Sequence, residues 1–456
     1  MSIKSIHITN YYHKDSGGIS TAYNKLLEAA NRHKRPVRLI VPGAKTRVEE
    51  VGEFGRIYYV KASFSPVFDK RYRIMMPWNS YIFDQSVIKT ILRDEKADLI
   101  EIGEKYTLSL MAGLIRKGIM NISDERPVLV HLSCERMDDN FRAFISGGRI
   151  SRRFTRGFIR NYIFPMFDFH LTNSDYTAAE LQDAVSSRSG LPRAKSLMNY
   201  CWRLLRSAKS SARKRIFVNQ CGVDIETFSS ARKSDEVRRR ICRENDLPES
   251  ARLLLYAGRL SPEKNVSLLP EIMEELAKVG ENDFRLLIAG NGPSQESLRE
   301  ECEKRANGKV RMLGHINEIE ELADLFANCD AFVHPNPREP FGITPLEAMA
   351  SGLPVAAPNS GGVLSYANSD NAWLSAPKAQ CFSDAIRDIF SDDAKRQAKI
   401  RLALDTSKQY DWELSTANLF RLYDKMFEEF TKNRSDFVYD KAAKDFNFSQ
   451  ESTSHA

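Results

Sequence analysis

Short apolar runs alternate with amphipathic helical segments along most of the 456 residues. Several of the runs are continuously apolar, as strands buried on both faces of a parallel sheet are. The alternation predicts an α/β fold of two doubly wound, Rossmann-like domains that face each other across a cleft. The predicted strands are Ile3–Ile8, Val37–Val41, Arg56–Val60, Asp98–Ile102, Val128–Leu132, Phe169–Thr172, Ile216–Val218, Arg252–Ala257, Phe284–Ala289, Val310–Leu313, Ala331–His334, Pro354–Ala357 and Ala372–Leu374.

The strand count suggests where the two domains meet. We predict a first domain over 1–228 and a second over 229–407, with a polar hinge at Ser229–Glu236. An amphipathic helix, Trp412–Thr431, follows within the segment 408–432, and 433–456 is a polar tail. The predicted apolar side of that helix consists of Leu414, Leu419, Leu422, Tyr423, Met426 and Phe427.

Composition is that of a soluble globular protein, with 42% hydrophobic and 28% charged residues. No apolar run approaches the roughly 20 residues that cross a bilayer. The N-terminus lacks the apolar core of a signal peptide and is typical of a first strand. The seven cysteines are scattered without Cys-x-x-Cys spacing, which favours reduced thiols and a cytoplasmic location.

Positive charge is concentrated in one part of the first domain. Between residues 141 and 220 there are 12 arginines and three lysines against three aspartates and one glutamate, an excess larger than the net +7 of the whole chain. Aromatic and apolar residues are interleaved with these cations in Phe141–Tyr162 and Arg188–Arg215. An anionic membrane surface bound through 141–215, on the inner face of the plasma membrane, and a merely solvated basic face are equally favoured interpretations. Nucleic acid is disfavoured.

The stretch Glu339-Pro-Phe-Gly-Ile-Thr-Pro-Leu-Glu347 carries the most chemical information. Its two carboxylates flank a glycine turn that opens a helix, since Pro345 suits a first helical turn. Free amides at a helix N-terminus suit a phosphate, and the carboxylates supply acceptors for sugar hydroxyls. A ligand with both groups is a nucleotide sugar.

A second motif follows the first strand of the second domain. Gly258 permits a tight exit from the strand, and Arg259 and Lys264 then place two cations at the carboxyl edge of the sheet, where they suit a diphosphate. Three other segments leave a binding role and a structural role open. They are Gly290-Asn291-Gly292-Pro293, Ser360-Gly361-Gly362-Val363 and His334, which ends a strand.

The first domain offers weaker candidates. The turn Asp15-Ser16-Gly17-Gly18 opens a helix but lacks a full G-x-G-x-x-G pattern, so dinucleotide binding is poorly supported. Its glycines suit close approach of a sugar or diphosphate. His131 closes a strand and is expected to face the cleft, with a structural histidine as the alternative. Without His-x-x-x-His or paired cysteines, no metal site is expected.

These motifs resemble the retaining glycosyltransferases of family 4, the group 1 glycosyltransferases, which have the two-Rossmann GT-B fold. The resemblance covers most of the chain, from Gly17-Gly18 to the helix after Trp412. The motifs that carry it are Gly258-Arg259 with Glu263-Lys264, Gly290-Asn291-Gly292-Pro293, the pair Glu339 and Glu347, and Gly222-Val223-Asp224 with Phe228. The long basic segment 188–215 departs from the family pattern and leaves the acceptor open.

The resemblance implies a role for each matching position. Arg259 and Lys264 are expected to bind the diphosphate, Glu339 the donor sugar and Glu347 the ribose hydroxyls. The remaining expected donor-side residues are Gly17, Gly18, Gly258, Asn291, Gly292, Phe341, Gly342 and Ile343. His131 matches a cleft histidine near the donor sugar and, with Arg259, Lys264 and Glu339, is expected to be catalytic. The closing helix is expected to cross back to the first domain.

The implied activity is a retaining, metal-independent hexosyl transfer without a cofactor. The donor is GDP-mannose or a UDP-sugar, and the acceptor is lipid-linked or an oligosaccharide, in glycan, polysaccharide or glycolipid biosynthesis. The alternatives are a sugar phosphorylase or sugar-nucleotide epimerase on the same fold, or a non-catalytic membrane-docking protein.

Overall fold

A computed structural model describes residues 2–13, 17–65, 72–83, 86–144, 149–186, 200–201, 204–205, 215–280 and 282–437, apart from the side chains of 79 and 143–150. Asp15, Ser16, most of the basic segment 188–215 and the tail beyond 437 lie outside these residues.

Sixteen strands are formed within the described residues. They are β1 (Ser5–Ile8), β2 (Val37–Gly43), β3 (Arg47–Val51), β4 (Gly55–Lys61), β5 (Ser63–Phe64), β6 (Arg73–Ile74), β7 (Leu99–Ile102), β8 (Val128–Ser133), β9 (Phe169–Thr172), β10 (Ile216–Val218), β11 (Arg252–Ala257), β12 (Phe284–Ala289), β13 (Val310–Gly314), β14 (Ala331–Val333), β15 (Val355–Pro358) and β16 (Trp373–Ser375).

The α-helices of the same residues are α1 (Gly18–Arg32), α2 (Pro77–Ser80), α3 (Val87–Glu95), α4 (Ser109–Arg116), α5 (Met137–Phe144), α6 (Arg149–Phe158), α7 (Phe164–Met166), α8 (Asp175–Ser186), α9 (Asp235–Glu244), α10 (Leu268–Val279), α11 (Gln295–Ala306), α12 (Ile319–Asn328), α13 (Ile343–Ala350), α14 (Ala379–Ser391), α15 (Asp393–Lys408) and α16 (Trp412–Lys432). A π-helical turn, Ile159–Ile163, joins α6 to α7. Short 3-10 turns lie at Ser230–Arg232, Pro262–Lys264, Gly362–Ser365 and Arg434–Asp436.

Two main sheets confirm the predicted doubly wound α/β architecture. The first has the order β10-β9-β8-β7-β1-β2-β4-β3, and the second β13-β12-β11-β14-β15-β16. All neighbours are parallel except β3 and β4. In each sheet the chain winds outward in both directions from a central strand, β1 in the first and β11 in the second. One crevice therefore opens at the carboxyl ends of β1 and β7, and another at the carboxyl ends of β11 and β14. Doubly wound sheets bind their ligands in such crevices.

All thirteen predicted strands are present, most within one or two residues of the predicted bounds. The pattern missed β3, a mostly exposed strand whose polar sequence Arg47-Val-Glu-Glu-Val51 pairs antiparallel with β4. It also missed the two-residue strands β5 and β6, which are too short for any periodicity to show.

The chain passes twice between the domains at adjacent places. The Val223 amide donates to the Tyr410 carbonyl at 2.7 Å, and the Trp412 amide donates to the Val223 carbonyl at 3.3 Å. Val223 and Phe228 both pack in a core cluster of the second domain. The predicted boundary at 228 stays a prediction, but the structure places these two side chains with the second sheet.

Helix α16 packs against the first domain. Phe420, Tyr423, Met426 and Phe430 lie in the same core cluster as the strands around β1, and the Tyr423 hydroxyl donates to Glu101 Oε2 at 2.5 Å. The prediction that Leu414 belongs to the apolar side is wrong, because its side chain is 54% exposed. The other five predicted residues lie in this cluster or pack against it, and the buried face of α16 also includes Thr416, Phe420 and Phe430.

Candidate active site in the cleft

Two segments meet where the second sheet changes winding direction. Gly258 and Arg259 follow β11, and His334 to Glu339 follow its neighbour β14. The strand order therefore brings both motifs to the same carboxyl edge of the sheet.

Glu339 is held by Lys264 at the centre of this edge. The lysine Nζ lies 2.9 Å from Oε1 and 2.8 Å from Oε2, and the Asn336 amide donates to Oε2 at 2.9 Å. The carboxylate is only 8% exposed. Burial by itself raises the pKa of Glu339, but the Lys264 ammonium and the other neighbours outweigh burial and lower the pKa to about 2. Glu339 is thus a buried anion that is neutralised by one cation.

His334 completes the buried layer beneath this pair. Its Nε2 lies 3.8 Å from Glu339 Oε2, and burial lowers its pKa to about 4. The imidazole is therefore neutral at pH 7 and adds no charge beside Glu339.

The loop after Glu339 turns sharply into α13. Gly342 has φ +91°, and a Cβ there would lie 2.9 Å from the Tyr366 hydroxyl, which donates to the Gly342 carbonyl. Within the described residues, the amides of Phe341, Gly342 and Ile343 donate to no described acceptor. These amides sit at a helix N-terminus and suit an anionic oxygen.

Glu347 lies one turn further along α13 and is partly buried. Its carboxylate has no hydrogen-bond or ion-pair partner in the part of the chain that the structure describes. Burial, followed by repulsion from Asp224, raises its pKa to about 8. A partly buried carboxyl group without a protein partner can form hydrogen bonds with a ligand, such as with ribose hydroxyls.

The sequence left a binding role and a structural role open for Gly290 and Gly292, and the structure gives both a structural role. Gly290 has φ +142°, and a Cβ there would lie 1.9 Å from the Gly258 carbonyl oxygen; at Gly292 a Cβ would lie 2.1 Å from the Leu260 carbonyl oxygen. The two loops are joined by a hydrogen bond from the Leu260 amide to the Asn291 carbonyl at 3.0 Å. These glycines therefore hold the Arg259 loop in place, while Asn291 itself is exposed.

Gly361 and Gly362 support the Glu339 loop in the same way. A Cβ on Gly362 would lie 1.9 Å from the Pro340 carbonyl oxygen, and the Gly362 amide donates to the Glu339 carbonyl at 2.6 Å. Close packing against the Glu339 loop therefore explains why glycine stands at both positions.

The first domain closes over this edge. Gly17 and Gly18 are exposed at the start of α1, and a Cβ on Gly18 would lie 2.9 Å from Ile343 Cδ1 of the second domain. The Ser174 hydroxyl donates to the Pro340 carbonyl. The Gly-Gly turn and the donor loop thus face each other directly.

The expectation that His131 faces the cleft is wrong. Its side chain is fully buried, with Nδ1 3.3 Å from His170 Nδ1 and its ring against Phe167 at a centroid distance of 5.2 Å. Burial, followed by the nearby His170 and Lys105, lowers its pKa well below the ordinary value. β8 continues to Ser133, so His131 lies within the strand and below its end. The alternative, a packed structural histidine, describes it better.

Sequence reasoning missed three residues of the cleft. Asn336 binds Glu339 directly, and its place three residues earlier in the same motif was a usable signal. Tyr72 lies beneath the Arg259 guanidinium, 5.4 Å from ring centroid to Cζ, and Ser174 reaches Pro340. Both come from the other domain, and no local pattern marks them.

Among the described residues, no group of three His, Cys, Asp or Glu side chains is placed to hold a metal ion. Within the same residues, no helix is both long and apolar enough to span a bilayer. All seven cysteines are described and have free thiols.

The two doubly wound domains and the cleft between them have the GT-B arrangement, the fold of the two-domain glycosyltransferases. Residues 237–403 match the family model of the glycosyl transferases group 1. The predicted resemblance to group 1 glycosyltransferases is thereby confirmed; the assignment to family 4 stays a prediction.

Relatives extend the likeness beyond the matched domain. A GDP-mannose-dependent alpha-(1-6)-phosphatidylinositol dimannoside mannosyltransferase of Mycobacterium tuberculosis is 24% identical over 91% of this chain and 95% of its own. A sulfoquinovosyl transferase of Arabidopsis thaliana is 30% identical over 47% of this chain and 40% of its own.

Solved structures agree on the fold. A sucrose-phosphate synthase from Thermosynechococcus elongatus has a TM-score of 0.67 at 17% identity, covering 93% of this chain and 99% of its own. The Anabaena protein HepE, solved in complex with UDP, has a TM-score of 0.64 at 16% identity, covering 93% and 100%. At such identities the likeness establishes the fold alone.

Proposed function

We propose that this glycosyltransferase moves a hexose, with retention at the anomeric carbon and without a metal ion or cofactor, to a lipid-linked or oligosaccharide acceptor. The donor is GDP-mannose or a UDP-sugar. The mycobacterial relative, which uses GDP-mannose, favours the first of these.

One observation carries the proposal. Among the described residues, Glu339, which is buried and neutralised by Lys264, lies at the same sheet edge as helix amides that have no acceptor and a Glu347 carboxylate that has no partner. The amides and the cations of Arg259 and Lys264 suit the charge that develops on a departing nucleoside diphosphate. Stabilising that charge and holding the acceptor close are the contributions expected from such a site. The first domain approaches the same place at Ile343, and closure of the cleft there would exclude water.

We further propose that the enzyme works in the cytoplasm, on the inner face of the plasma membrane. The described helix α6 supports this, since Arg152, Arg153 and Phe154 are exposed on it, Phe154 by 57%. Cations beside an exposed aromatic ring suit anionic lipid headgroups and the boundary to the acyl chains.

Melting curves with GDP, UDP, ADP and their sugar conjugates, with and without EDTA, test the donor and the metal. A ligand at 100 times its Kd stabilises the folded protein by about 2.7 kcal/mol. We expect one base to raise the melting temperature, equally in EDTA. An EDTA-sensitive shift contradicts metal independence, and no shift with any nucleotide contradicts the proposal. Phosphate-dependent turnover of a disaccharide, or epimerisation without an acceptor, would support a phosphorylase or an epimerase instead.

A further inference from the structure

One aromatic side chain of the first domain reaches the donor side of the cleft. The guanidinium of Arg259 lies over the ring of Tyr72, with 5.4 Å between Cζ and the ring centroid. Arg259 follows β11 of the second sheet, and Tyr72 immediately precedes β6 in the first domain. The contact therefore joins the two domains at the arginine that the proposed function places on the diphosphate.

The backbone that carries Tyr72 is tied to the first sheet. Tyr72 immediately precedes β6, which pairs antiparallel with β5. The Arg73 guanidinium donates to the Ala62 carbonyl, just after β4, at 2.7 Å. The Met75 amide donates to Oδ1 of Asn10, just after β1, at 2.9 Å. The Tyr72 ring is thus presented to the second domain from an anchored segment.

The Tyr72 ring also contacts His13, at a centroid distance of 5.4 Å. His13 is held at the start of α1, because its amide donates to Ser20 Oγ at 3.1 Å and its carbonyl accepts from the same hydroxyl at 2.8 Å. Ser20 lies two residues after Gly18, which faces Ile343 across the cleft. The ring and the glycine turn therefore belong to one connected part of the first domain that meets the second domain.

A contact with the Tyr72 ring and a contact with a phosphate use different parts of a guanidinium. An aromatic ring covers the flat face of the group, whereas the N–H donors lie in its plane and meet phosphate oxygens at its edge. Stacking therefore restricts the orientation of Arg259 and remains compatible with diphosphate binding. A side chain that is already restricted loses less rotamer freedom when it binds a ligand.

We propose that Tyr72 is a positioning residue for the donor, which holds the Arg259 guanidinium in the orientation that binds the diphosphate when the first domain closes over the second. The inference rests on the proposed function and adds a residue of the first domain to diphosphate recognition. The aromatic ring supplies the contact, and the hydroxyl is not needed for it. Because such coupling is reciprocal, diphosphate binding at Arg259 in turn favours the closed cleft.

Titration calorimetry of the full chain tests the proposal, with GDP, UDP or ADP, whichever raises the melting temperature. We expect Tyr72→Leu to raise the Kd about threefold to fivefold, the factor that a partly exposed cation–π contact supplies, and Tyr72→Phe to stay within about twofold of the parent. Tyr72 is partly exposed, so both variants are expected to fold. Phe390→Leu is the matched control, because its ring lies 5.1 Å from Cζ of Arg252 at the opposite end of β11, and it should leave the Kd unchanged.

A double-mutant cycle with Arg259→Met separates an effect through Arg259 from a general effect on the cleft. We expect Tyr72→Leu to cause no measurable further rise in Kd once the guanidinium is absent. An unchanged Kd for Tyr72→Leu, an equal rise for Tyr72→Phe, or the same effect with and without Arg259 overturns the proposal. A parent protein that binds none of the three diphosphates contradicts the proposed function itself, and with it the inference that rests on that function.

Discussion

Lys264 Nζ lies 2.8 Å from Glu339 Oε2, although 75 positions separate the two residues in the chain. The lysine that is expected to meet the diphosphate therefore already neutralises the carboxylate that is expected to meet the sugar. A bound donor adds two negative charges beside the same ammonium. Lys264 thus couples recognition of the two halves of the donor.

Removing either partner of this pair should cost more than removing both. Lys264→Met leaves the buried Glu339 carboxylate without its cation, and Glu339→Gln leaves the cation without its anion. We expect a coupling of about 1 kcal/mol in a double-mutant cycle of unfolding, at the low end because Lys264 is 30% exposed. The exposed pair Lys408 and Asp405, treated in the same way, should show no measurable coupling. Additive effects at Lys264 and Glu339 would contradict the pair's energetic role.

Glu347→Gln should stabilise the ligand-free protein at high pH. The folded pKa of about 8 lies above the unfolded value of about 4.3, so stability falls as pH rises between them. Glutamine mimics the protonated form and removes that loss. We expect melting temperatures within about 1 °C of the parent at pH 5 and several degrees higher at pH 9.

The same variant should bind the donor less well, because the expected ribose acceptor is replaced by an amide. Glu249→Gln, which changes an exposed carboxylate, controls for charge. A pH-independent difference in melting temperature would refute the buried, protonated state of Glu347.

Gly18→Ala should hinder closure of the cleft, and Gly17→Ala should not. A Cβ on Gly18 would lie 2.9 Å from Ile343 Cδ1, whereas Gly17 has no atom within 4 Å of its Cβ position. Since the obstructing atom ends a flexible side chain, we expect a loss of kcat/KM of about threefold to tenfold with an unchanged melting temperature. Ile343→Val removes the obstructing methyl and should restore activity in the Gly18→Ala background. Equal effects of the two alanine variants would show that the contact does not form.

His131→Gln should affect folding more than catalysis. The imidazole is fully buried against Phe167 and His170, so the substitution disturbs packing and should cost about 1–3 kcal/mol. We expect a lower melting temperature, and kcat/KM within about threefold of the parent for the folded protein. His315→Gln, at an exposed position, is the control for stability. A large loss of kcat/KM with an unchanged melting temperature would show instead that His131 is a catalytic residue.

Replacing Arg152 and Arg153 by Gln and Phe154 by Ala should weaken binding to anionic liposomes. Each cation contributes up to about 1 kcal/mol near such a surface, and the attraction falls as salt is added. Arg239→Gln with Arg243→Gln removes two exposed arginines from the second domain and should leave binding unchanged. Co-sedimentation with phosphatidylserine vesicles measures both. Failure of the parent protein to bind would contradict the membrane proposal.

The sequence predicted the sheets well because burial on both faces makes a strand continuously apolar. Phe169–Thr172 and Arg252–Ala257 have the predicted bounds. β3 was missed because it is an edge strand whose side chains are mostly exposed to solvent. Polar residues such as Glu49 and Glu50 are therefore tolerated in it. Leu414 was placed on the wrong side of α16 because an apolar residue near a helix start gives no information about which neighbour covers it.

Residue types and spacing within one segment were enough to place Glu339, Gly342 and Glu347 around a helix start, since local geometry there follows from the chain itself. Long-range packing decided the rest. In the folded protein His131 is buried beneath the cleft, and Gly290 and Gly292 allow two loops to pack against each other. Glu135 lies beside Tyr11, which is 124 positions away in the chain. A side chain's burial and partners are properties of elements brought together by folding, so only the tertiary structure could distinguish a cleft histidine from a core histidine.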